Sequence, residues 1–241
     1  EVSQSFIWGG SWGMEKLRFT ADFPAEIASR LKIESIGLGV PKAVVDKSTP
    51  GRVTYRWSGE TIRGERYEIE RAPSTQIGPT IHLSSIADWN AVGQWYRGLL
   101  ASRNDLNPEL QRLADEWTAG RISPAEQIVA LHAQVADEVR YVGLEFGQAD
   151  YQPHDCNEVW ANRYGDCKDK ANLLVALLRH RGIPASIALV NTSHLGLVDR
   201  RVPDYAMFTH AIVAIPQKKG FLFCDPTIAY STPGMLGAGS S

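Results

Sequence analysis

The hydrophobic pattern of this sequence changes its period near residue 87. Before that point, apolar and polar residues alternate in short runs such as KLRFTA, RVTYRW and ERYEIE, and turn residues separate these runs. Alternation gives a strand one dry and one wet face, so the runs predict an antiparallel, sandwich-like β domain over residues 1–86. The alternating apolar positions are Leu17, Phe19, Ala21, Val53, Tyr55, Trp57, Tyr67 and Ile69.

After this point the pattern becomes helical. The run ADWNAVGQWYRGLL has helical spacing, and NPELQRLADEWTAG starts with a cap residue, Asn107, and ends in glycine. Ser123 and Glu126 have the spacing of a capping box before a third apolar helix. These signals predict a second domain with a helical lead-in over residues 87–241, and therefore an α+β chain.

Composition restricts the classes of function. Hydrophobic residues make up 44% of the chain and charged residues 22%, which is typical of a folded globular protein. The formal net charge of −2 gives no broad basic surface, so nucleic acid is not predicted as a partner. Since no apolar run approaches the roughly 20 residues of a membrane-spanning helix, no membrane span is predicted. The cysteines lack the number and spacing of a disulfide framework.

One cysteine lies where a reactive thiol would be stabilised. In NRYGDCKDKANLLVALLRHRGIPA, Cys167 begins an amphipathic helix that Asp166 caps and Gly182 ends. The apolar residues that follow at helical offsets place the thiol on the core-facing stripe, at its exposed tip. The partial positive charge of the helix N-terminus, together with Lys168 and Lys170, favours a thiolate. Cys167 is therefore a candidate nucleophile.

The segment DYAMFTHAIVAIPQKKGFLFCDPT supplies partners for this thiol. Its pattern predicts two strands, and a PQKK loop would pair Ile215 with Gly220 and place His210 directly opposite Asp225. A carboxylate in that position can orient an imidazole and fix its tautomer. Cys167, His210 and Asp225 are therefore the candidate catalytic residues, as nucleophile, proton carrier and orienting group.

The motifs YGDCKDKANLLVALLRHRGIPA, THAIVAI and FLFCDPT resemble the transglutaminase-like superfamily of papain-type fold, in particular bacterial members with GDCKDKA around the nucleophile. The resemblance covers roughly residues 121–230. It implies a helix carrying Cys167 that packs on an antiparallel sheet carrying His210 and Asp225. The preceding β-rich stretch resembles the sandwich domain often found before such domains in exported bacterial proteins. This implies an incomplete sandwich domain and a periplasmic or other extracytoplasmic location.

An oxyanion hole needs two hydrogen-bond donors. The backbone N–H of Cys167 is the predicted first donor. The resemblance implies that the second comes from a side chain upstream, and Trp160, Asn162 and Gln148 stay open as candidates. For Trp160, a place in the hydrophobic core is the simpler expectation.

The remaining cysteines and histidines are predicted to be structural. His154 and Cys156 form an H-x-C pair, but no second ligand pair follows, so neither a metal nor another cofactor is predicted. Cys224 alternates with Asp225 and is predicted to face the core. His132 lies on an apolar helix face and is predicted to be a structural histidine with its hydrogen bonds satisfied.

Two classes of function fit these residues. The first is thiol-dependent acyl transfer on an amide or ester carbonyl, through a thioester on Cys167, with a peptide or protein amide as the substrate. Hydrolysis is the predicted outcome and transamidation the second, because no acidic cluster frames the site to bind an amine. The alternative is a non-catalytic module that binds a peptide or polysaccharide on the same scaffold.

Overall fold

The structure is a computed structural model, and it describes residues 2–9, 13–37, 39–62, 79–143, 151–192, 198 and 200–236. By their contacts, the residues group into two compact units, Glu1–Gly93 with Ser193–Met207 and Gln94–Thr192 with Phe208–Ser241. The domain boundary expected at residue 87 stays a prediction. The alternation at Tyr67 and Ile69 lies outside the described residues.

The first unit holds two antiparallel sheets of three strands each. Their strand orders are β1-β6-β3 and β2-β5-β4, and the runs KLRFTA and RVTYRW lie in β2 and β5, as predicted. A short helix, α1, follows β2. The bounds are β1 (Ser3–Ile7), β2 (Met14–Pro24), α1 (Ala25–Ala28), β3 (Lys32–Ile36), β4 (Val44–Asp46), β5 (Arg52–Ile62) and β6 (Thr80–Ser84).

Side chains of both sheets meet in one hydrophobic core. Ala21 and Trp57 come from the β2-β5-β4 sheet, whereas Ile81 and Leu83 come from β6. Trp57 is only 1% exposed, and its indole N–H donates to Ser35 Oγ at 3.2 Å. The alternating residues predicted to face inward therefore do so, and the sandwich-like arrangement is confirmed.

The second unit combines helices with a further antiparallel sheet, of order β11-β10-β9, and a two-stranded parallel sheet of β7 and β8. Helix α2 begins a few residues before this unit, which starts at Gln94. The bounds are α2 (Trp89–Leu99), α3 (Pro108–Trp117), α4 (Pro124–Glu138), β7 (Arg140–Tyr141), α5 (Cys156–Asn162), β8 (Tyr164–Gly165), α6 (Cys167–His180), β9 (Ser186–Val190), β10 (His210–Pro216) and β11 (Phe221–Cys224).

The helix starts agree with the sequence signals. Asn107 accepts a hydrogen bond from the N–H of Leu110 at 2.8 Å and so caps α3. Before α4, Ser123 and Glu126 exchange both bonds of a capping box, at 3.3 and 3.1 Å. These contacts satisfy N–H groups that the first helical turn leaves without partners.

Helix α6 is the centre of this unit. It is buried from Cys167 to Leu178, and it packs against β10 and β9 and against α3, α4 and α5. A helix that begins with the cysteine thus lies on a sheet whose middle strand begins with His210. The α+β class and the helix-on-sheet arrangement are confirmed. Within the described ranges, no helix combines the length and apolar character that crossing a lipid bilayer requires.

Candidate active site

The start of α6 is built by two carboxylates. The side chain of Asp166 accepts from the N–H groups of Lys168 and Asp169 at 3.1 and 3.2 Å, and Asp169 accepts from the N–H of Asp166 at 3.1 Å. The sequence predicted Asp166 as the cap, and the structure adds Asp169 as the second half of a capping box. Glycine at position 165 lets the end of β8 lie close to the first turn of α6, because a Cβ there would lie 2.7 Å from the Cβ of Asp169.

Cys167 is buried rather than exposed. Its exposed fraction is 7%, so the expected exposed tip of the stripe is wrong. Cys167 instead borders a cavity of about 290 Å³. This cavity is lined by Tyr96, Tyr151, Cys167, Lys168, Leu189, Phe208, Thr209, His210 and Ala211.

The two lysines that follow Cys167 are held by other groups of the fold. Lys168 forms a buried ion pair with Asp166. The ammonium of Lys170 donates to the backbone carbonyl of Ala136 at 3.2 Å and to that of Val139, and burial lowers its pKa to about 8. The charge of Lys168 is therefore compensated by a carboxylate, whereas Lys170 is held by neutral carbonyl groups.

His210 joins the other two candidate residues. Its Nε2 lies 2.9 Å from Asp225 Oδ2, and His210 borders the same cavity as Cys167. Since Asp225 occupies Nε2, the other ring nitrogen, Nδ1, is the one available to the thiol. The second carboxylate oxygen of Asp225 accepts from the backbone N–H and the hydroxyl of Thr227, at 3.0 and 2.6 Å. The carboxylate is thus fixed on both sides.

These contacts set the charge of the imidazole. Burial lowers the pKa of His210, but its hydrogen bonds to Asp225 and Cys167 outweigh burial and raise the pKa from 6.5 to about 9. For Asp225, burial acts to raise the pKa, and hydrogen bonds from His210 and Thr227 hold it below its usual value. A cationic imidazole between a thiol and a carboxylate is the arrangement that cysteine nucleophiles require.

The strand register differs from the predicted one. Ile215 pairs with Leu222 rather than with Gly220, because Pro216 extends the strand and pairs with Phe221. The turn therefore closes between Gln217 and Gly220, whose backbone atoms hydrogen-bond at 3.0 Å.

The register error is two residues along one strand. Because side chains alternate between faces with a period of two, such a slip keeps each residue on its face. Asp225 follows the last residue of β11 and reaches His210 diagonally rather than from directly opposite. The side chains meet as predicted, although the predicted pairing is wrong.

Comparison with known families agrees with this geometry. Residues 111–226 match the model of the transglutaminase-like superfamily. This segment is a transglutaminase-like domain. It includes Cys167, His210 and Asp225, and it ends one residue beyond Asp225. No curated protein matches the chain.

Several solved structures resemble the chain that carries this transglutaminase-like domain. An inferred protease from Parabacteroides distasonis has a TM-score of 0.75 at 16% identity, covering 95% of this chain and 43% of its own. An inferred cysteine protease from Cytophaga hutchinsonii has a TM-score of 0.41 at 14% identity, with 93% and 71% covered. The periplasmic domain of TgpA from Pseudomonas aeruginosa has a TM-score of 0.38 at 17% identity, with 92% and 94% covered. The Parabacteroides structure supports the fold, and this chain spans less than half of that protein.

Of the predicted candidates for the second oxyanion donor, the two that the structure describes, Trp160 and Asn162, do not line the cavity. Trp160 belongs to the hydrophobic core and packs edge-on against Trp117, with 5.0 Å between ring centroids. Asn162 is exposed at the end of α5, and Gln148 lies outside the described residues. Trp160 therefore lies in the hydrophobic core, as the sequence analysis expected.

The H-x-C pair is divided between two environments. His154 Nδ1 lies 3.1 Å from Asp169 Oδ2, whereas Cys156 is fully buried and accepts from the amide of Asn172 at 3.3 Å. In the described part of the chain, no group of three or more His, Cys, Asp or Glu side chains could hold a metal ion. Cys224 is fully buried in the core, as predicted.

His132 differs from its prediction in one respect. It is fully buried on α4, but neither of its ring nitrogens has a hydrogen-bond partner among the described residues. Burial lowers its pKa, so the ring is neutral at physiological pH. The expectation of satisfied hydrogen bonds is therefore wrong.

Tyr96 is one of the cavity residues that sequence reasoning missed. It lies on α2, far along the chain from the GDCKDK motif, and its ring borders the same cavity as Cys167 and His210. The only sequence signal was its place in the predicted helix ADWNAVGQWYRGLL. That pattern predicts a buried face of the helix and does not show what the face meets.

Proposed function

We propose that this chain is a cysteine-dependent hydrolase of amide or ester bonds. Cys167 is the nucleophile, His210 the general base and acid, and Asp225 the carboxylate that orients the imidazole. The proposal rests on one observation, an imidazole that is hydrogen-bonded to Asp225 and borders the same cavity as Cys167. With a pKa of about 9, His210 is cationic at neutral pH, and a cationic imidazole stabilises an adjacent thiolate.

The proposed reaction has two stages. In the first, the sulfur of Cys167 bonds to the carbonyl carbon while the π electrons move to the oxygen. The tetrahedral species then collapses, the bond to the leaving amine or alcohol breaks, and His210 gives that group its proton. In the second, neutral His210 takes a proton from water as the water attacks the thioester, and the carbon–sulfur bond breaks to release the acid.

Hydrolysis is favoured over amine transfer by the charges around the cavity. Among the described residues that line it, Lys168 is positive and no carboxylate is present. The two carboxylates at the start of α6 have internal partners, since Asp166 pairs with Lys168 and Asp169 contacts His154. A lysine amine would therefore find no anionic partner among these lining residues, whereas water needs none.

The proposed substrate is a peptide or protein amide. A cavity of about 290 Å³ accommodates a side chain or a short peptide segment, and aromatic rings of Tyr96, Tyr151 and Phe208 form part of its wall. An extracytoplasmic location is part of the proposal and rests on the resemblance of the sequence to exported bacterial proteins. The activity of any longer protein that contains this chain is likewise proposed.

The test uses three carbonyl substrates and follows all products by mass spectrometry. The substrates are p-nitrophenyl acetate, casein, and a glutamine-containing peptide supplied with a primary amine. The wild type should release free acid, and Cys167→Ala should release none. His210→Gln should lose turnover, whereas His180→Gln should keep it, because His180 contacts Asp115 away from the cavity.

Two outcomes would overturn this proposal. An amide product exceeding the free acid at millimolar amine would make the chain a transamidase. Absence of any product that depends on Cys167 would instead favour a non-catalytic module that binds a peptide or polysaccharide.

A further inference from the structure

His154 takes no part in the proposed reaction, yet it makes two contacts with one buried carboxylate. Its backbone N–H donates to Asp169 Oδ1 at 2.8 Å, and its ring nitrogen Nδ1 lies 3.2 and 3.1 Å from Oδ1 and Oδ2 of the same side chain. The imidazole is 54% exposed, whereas the side chain of Asp169 is 4% exposed. Because an ionised carboxylate only accepts hydrogen bonds, Nδ1 carries a proton in this contact. His154 therefore supplies two donors to a carboxylate that the fold shields from water.

Asp169 connects this histidine to the backbone around Cys167. Its Oδ2 accepts from the N–H of Asp166 at 3.1 Å, and the side chain of Asp166 accepts in turn from the N–H of Lys168 at 3.1 Å. The residues before and after Cys167 are thus held by the capping box, of which Asp169 is one half. The position of the nucleophile consequently depends on the orientation of the Asp169 carboxylate.

The capping box brings two buried carboxylates close together at the start of α6. Burial raises the pKa of Asp166, and the charge of Asp169 raises it further. The ammonium of Lys168 balances the charge of Asp166, and the ring of His154 occupies the corresponding place at Asp169. Without this ring, Asp169 would keep its backbone donors but lose the side-chain donor that opposes the repulsion.

We propose that His154 is a positioning residue that holds the backbone of Cys167 in place through Asp169. The proposal rests on the proposed function, because it concerns the same nucleophile. The ring fixes the capping carboxylate, the carboxylate fixes the N–H of Asp166, and Cys167 is the next residue along the chain. The proton stays on Nδ1 throughout, and no bond of His154 forms or breaks in the reaction.

His154→Leu and His154→Asn are a matched pair of variants for this role. The two new side chains have nearly the same shape, but the amide nitrogen of asparagine can take the place of Nδ1 and donate to Asp169. With p-nitrophenyl acetate as the substrate, His154→Leu should lower kcat about 10-fold with little change in KM. A displacement of about 1 Å can cost about 10²-fold, but the backbone N–H of His154 still holds the carboxylate in this variant. His154→Asn should restore most of the turnover.

His180→Leu is the control for the loss of a histidine–aspartate contact on the same helix. His180 is the last residue of α6, and its Nε2 lies 3.1 Å from Asp115 Oδ1. This variant should leave kcat unchanged. Far-UV circular dichroism should show that all the variants stay folded, because the ring of His154 is exposed.

Alkylation of Cys167 by iodoacetamide tests the same role without a substrate. A thiol displaced from the cationic imidazole of His210 is less ionised, and the thiolate is the form that reacts. His154→Leu should therefore be alkylated more slowly than both the wild type and His154→Asn.

The outcomes separate this proposal from the proposed function. If His154→Leu and His154→Asn have the same kcat and the same alkylation rate, the ring does not position the nucleophile and the proposal is wrong. A rise in KM at unchanged kcat would also overturn it, since the ring would then support the cavity wall around Tyr151 instead. If the wild type shows no turnover that depends on Cys167, the hydrolase proposal fails, and the alkylation rates still decide the role of His154.

Discussion

Replacing Asp225 by asparagine would measure the effect of one negative charge on the candidate triad. Asparagine has nearly the same shape, and its carbonyl oxygen can keep the hydrogen bonds from Thr227, which are 3.0 and 2.6 Å long. The variant places an amide NH2 where the carboxylate oxygen faces Nε2 of His210 at 2.9 Å, so the ring loses both the negative charge and the acceptor. The fold should therefore be retained, which far-UV circular dichroism and the unfolding midpoint would check.

The structure sets the size of the effect. The pKa of His210 is about 9 instead of 6.5, a rise of about 2.5 units that two partners produce against the opposing effect of burial. Asp225 is the stronger of those partners, ahead of Cys167, so removing its charge should lower the pKa by more than half of this rise. That is more than about one unit, or about 1.4 kcal/mol in the free energy of ionisation.

The direct assay is an NMR titration of the histidine rings, with His210→Gln used to assign the resonance. Turnover should also fall by up to about 10⁴-fold, the effect of the same substitution in a Ser-His-Asp triad, because the ring loses the group that fixes its tautomer. Asp115→Asn is the matched control, because Asp115 faces an exposed histidine, His180, at 3.1 Å.

A clear result would refute this reasoning. If the pKa of His210 is the same in Asp225→Asn and in the wild type, the carboxylate does not set the charge of the imidazole. The triad would then need another carboxylate, or the function would not depend on a cationic ring.

Three further predictions test the start of α6. Iodoacetamide at neutral pH should alkylate Cys167 well before Cys156, because burial raises the pKa of the Cys156 thiol; peptide mapping in the opposite order would contradict the choice of nucleophile. Gly165→Ala should lower kcat by roughly 10²-fold, since the new Cβ would displace the helix cap, which lies 2.7 Å away. Gly98→Ala, with nothing within 4 Å of its Cβ, should leave kcat unchanged, and equal effects of the two changes would refute this account. Burial lowers the pKa of Lys170 from 10.5 to about 8, so the unfolded chain binds more protons between these pH values and stability rises with pH there. In the wild type, this increase in the free energy of unfolding, measured by urea denaturation, should reach about 3 kcal/mol, and Lys170→Met should abolish it. If the variant keeps the same pH dependence, the lysine is not responsible.

Short-range signals predicted much of the fold. The cap at Asn107 and the capping box of Ser123 and Glu126 form as expected, because each depends on atoms within one helical turn. The alternating runs became β2 and β5 because a period of two places every second side chain on one face, whatever the rest of the chain does. The position of Cys167 at a helix start followed from the same local reasoning.

Other features depended on packing between distant segments. The loop residues allow more than one hairpin closure, and the structure has Ile215 paired with Leu222 instead of Gly220. The side chains of His210 and Asp225 met nevertheless, since a slip of two residues preserves the face of a strand.

The cavity is the feature furthest from local rules. Tyr96, Cys167 and His210 come from three separate elements, and nothing in their spacing along the chain indicates that they share one wall. The burial of Cys167 and the burial of Tyr96 both result from how α2, α6 and β10 pack. Local sequence fixes which face of each element is apolar, whereas the residues that meet across a cavity are set by the packing of whole elements.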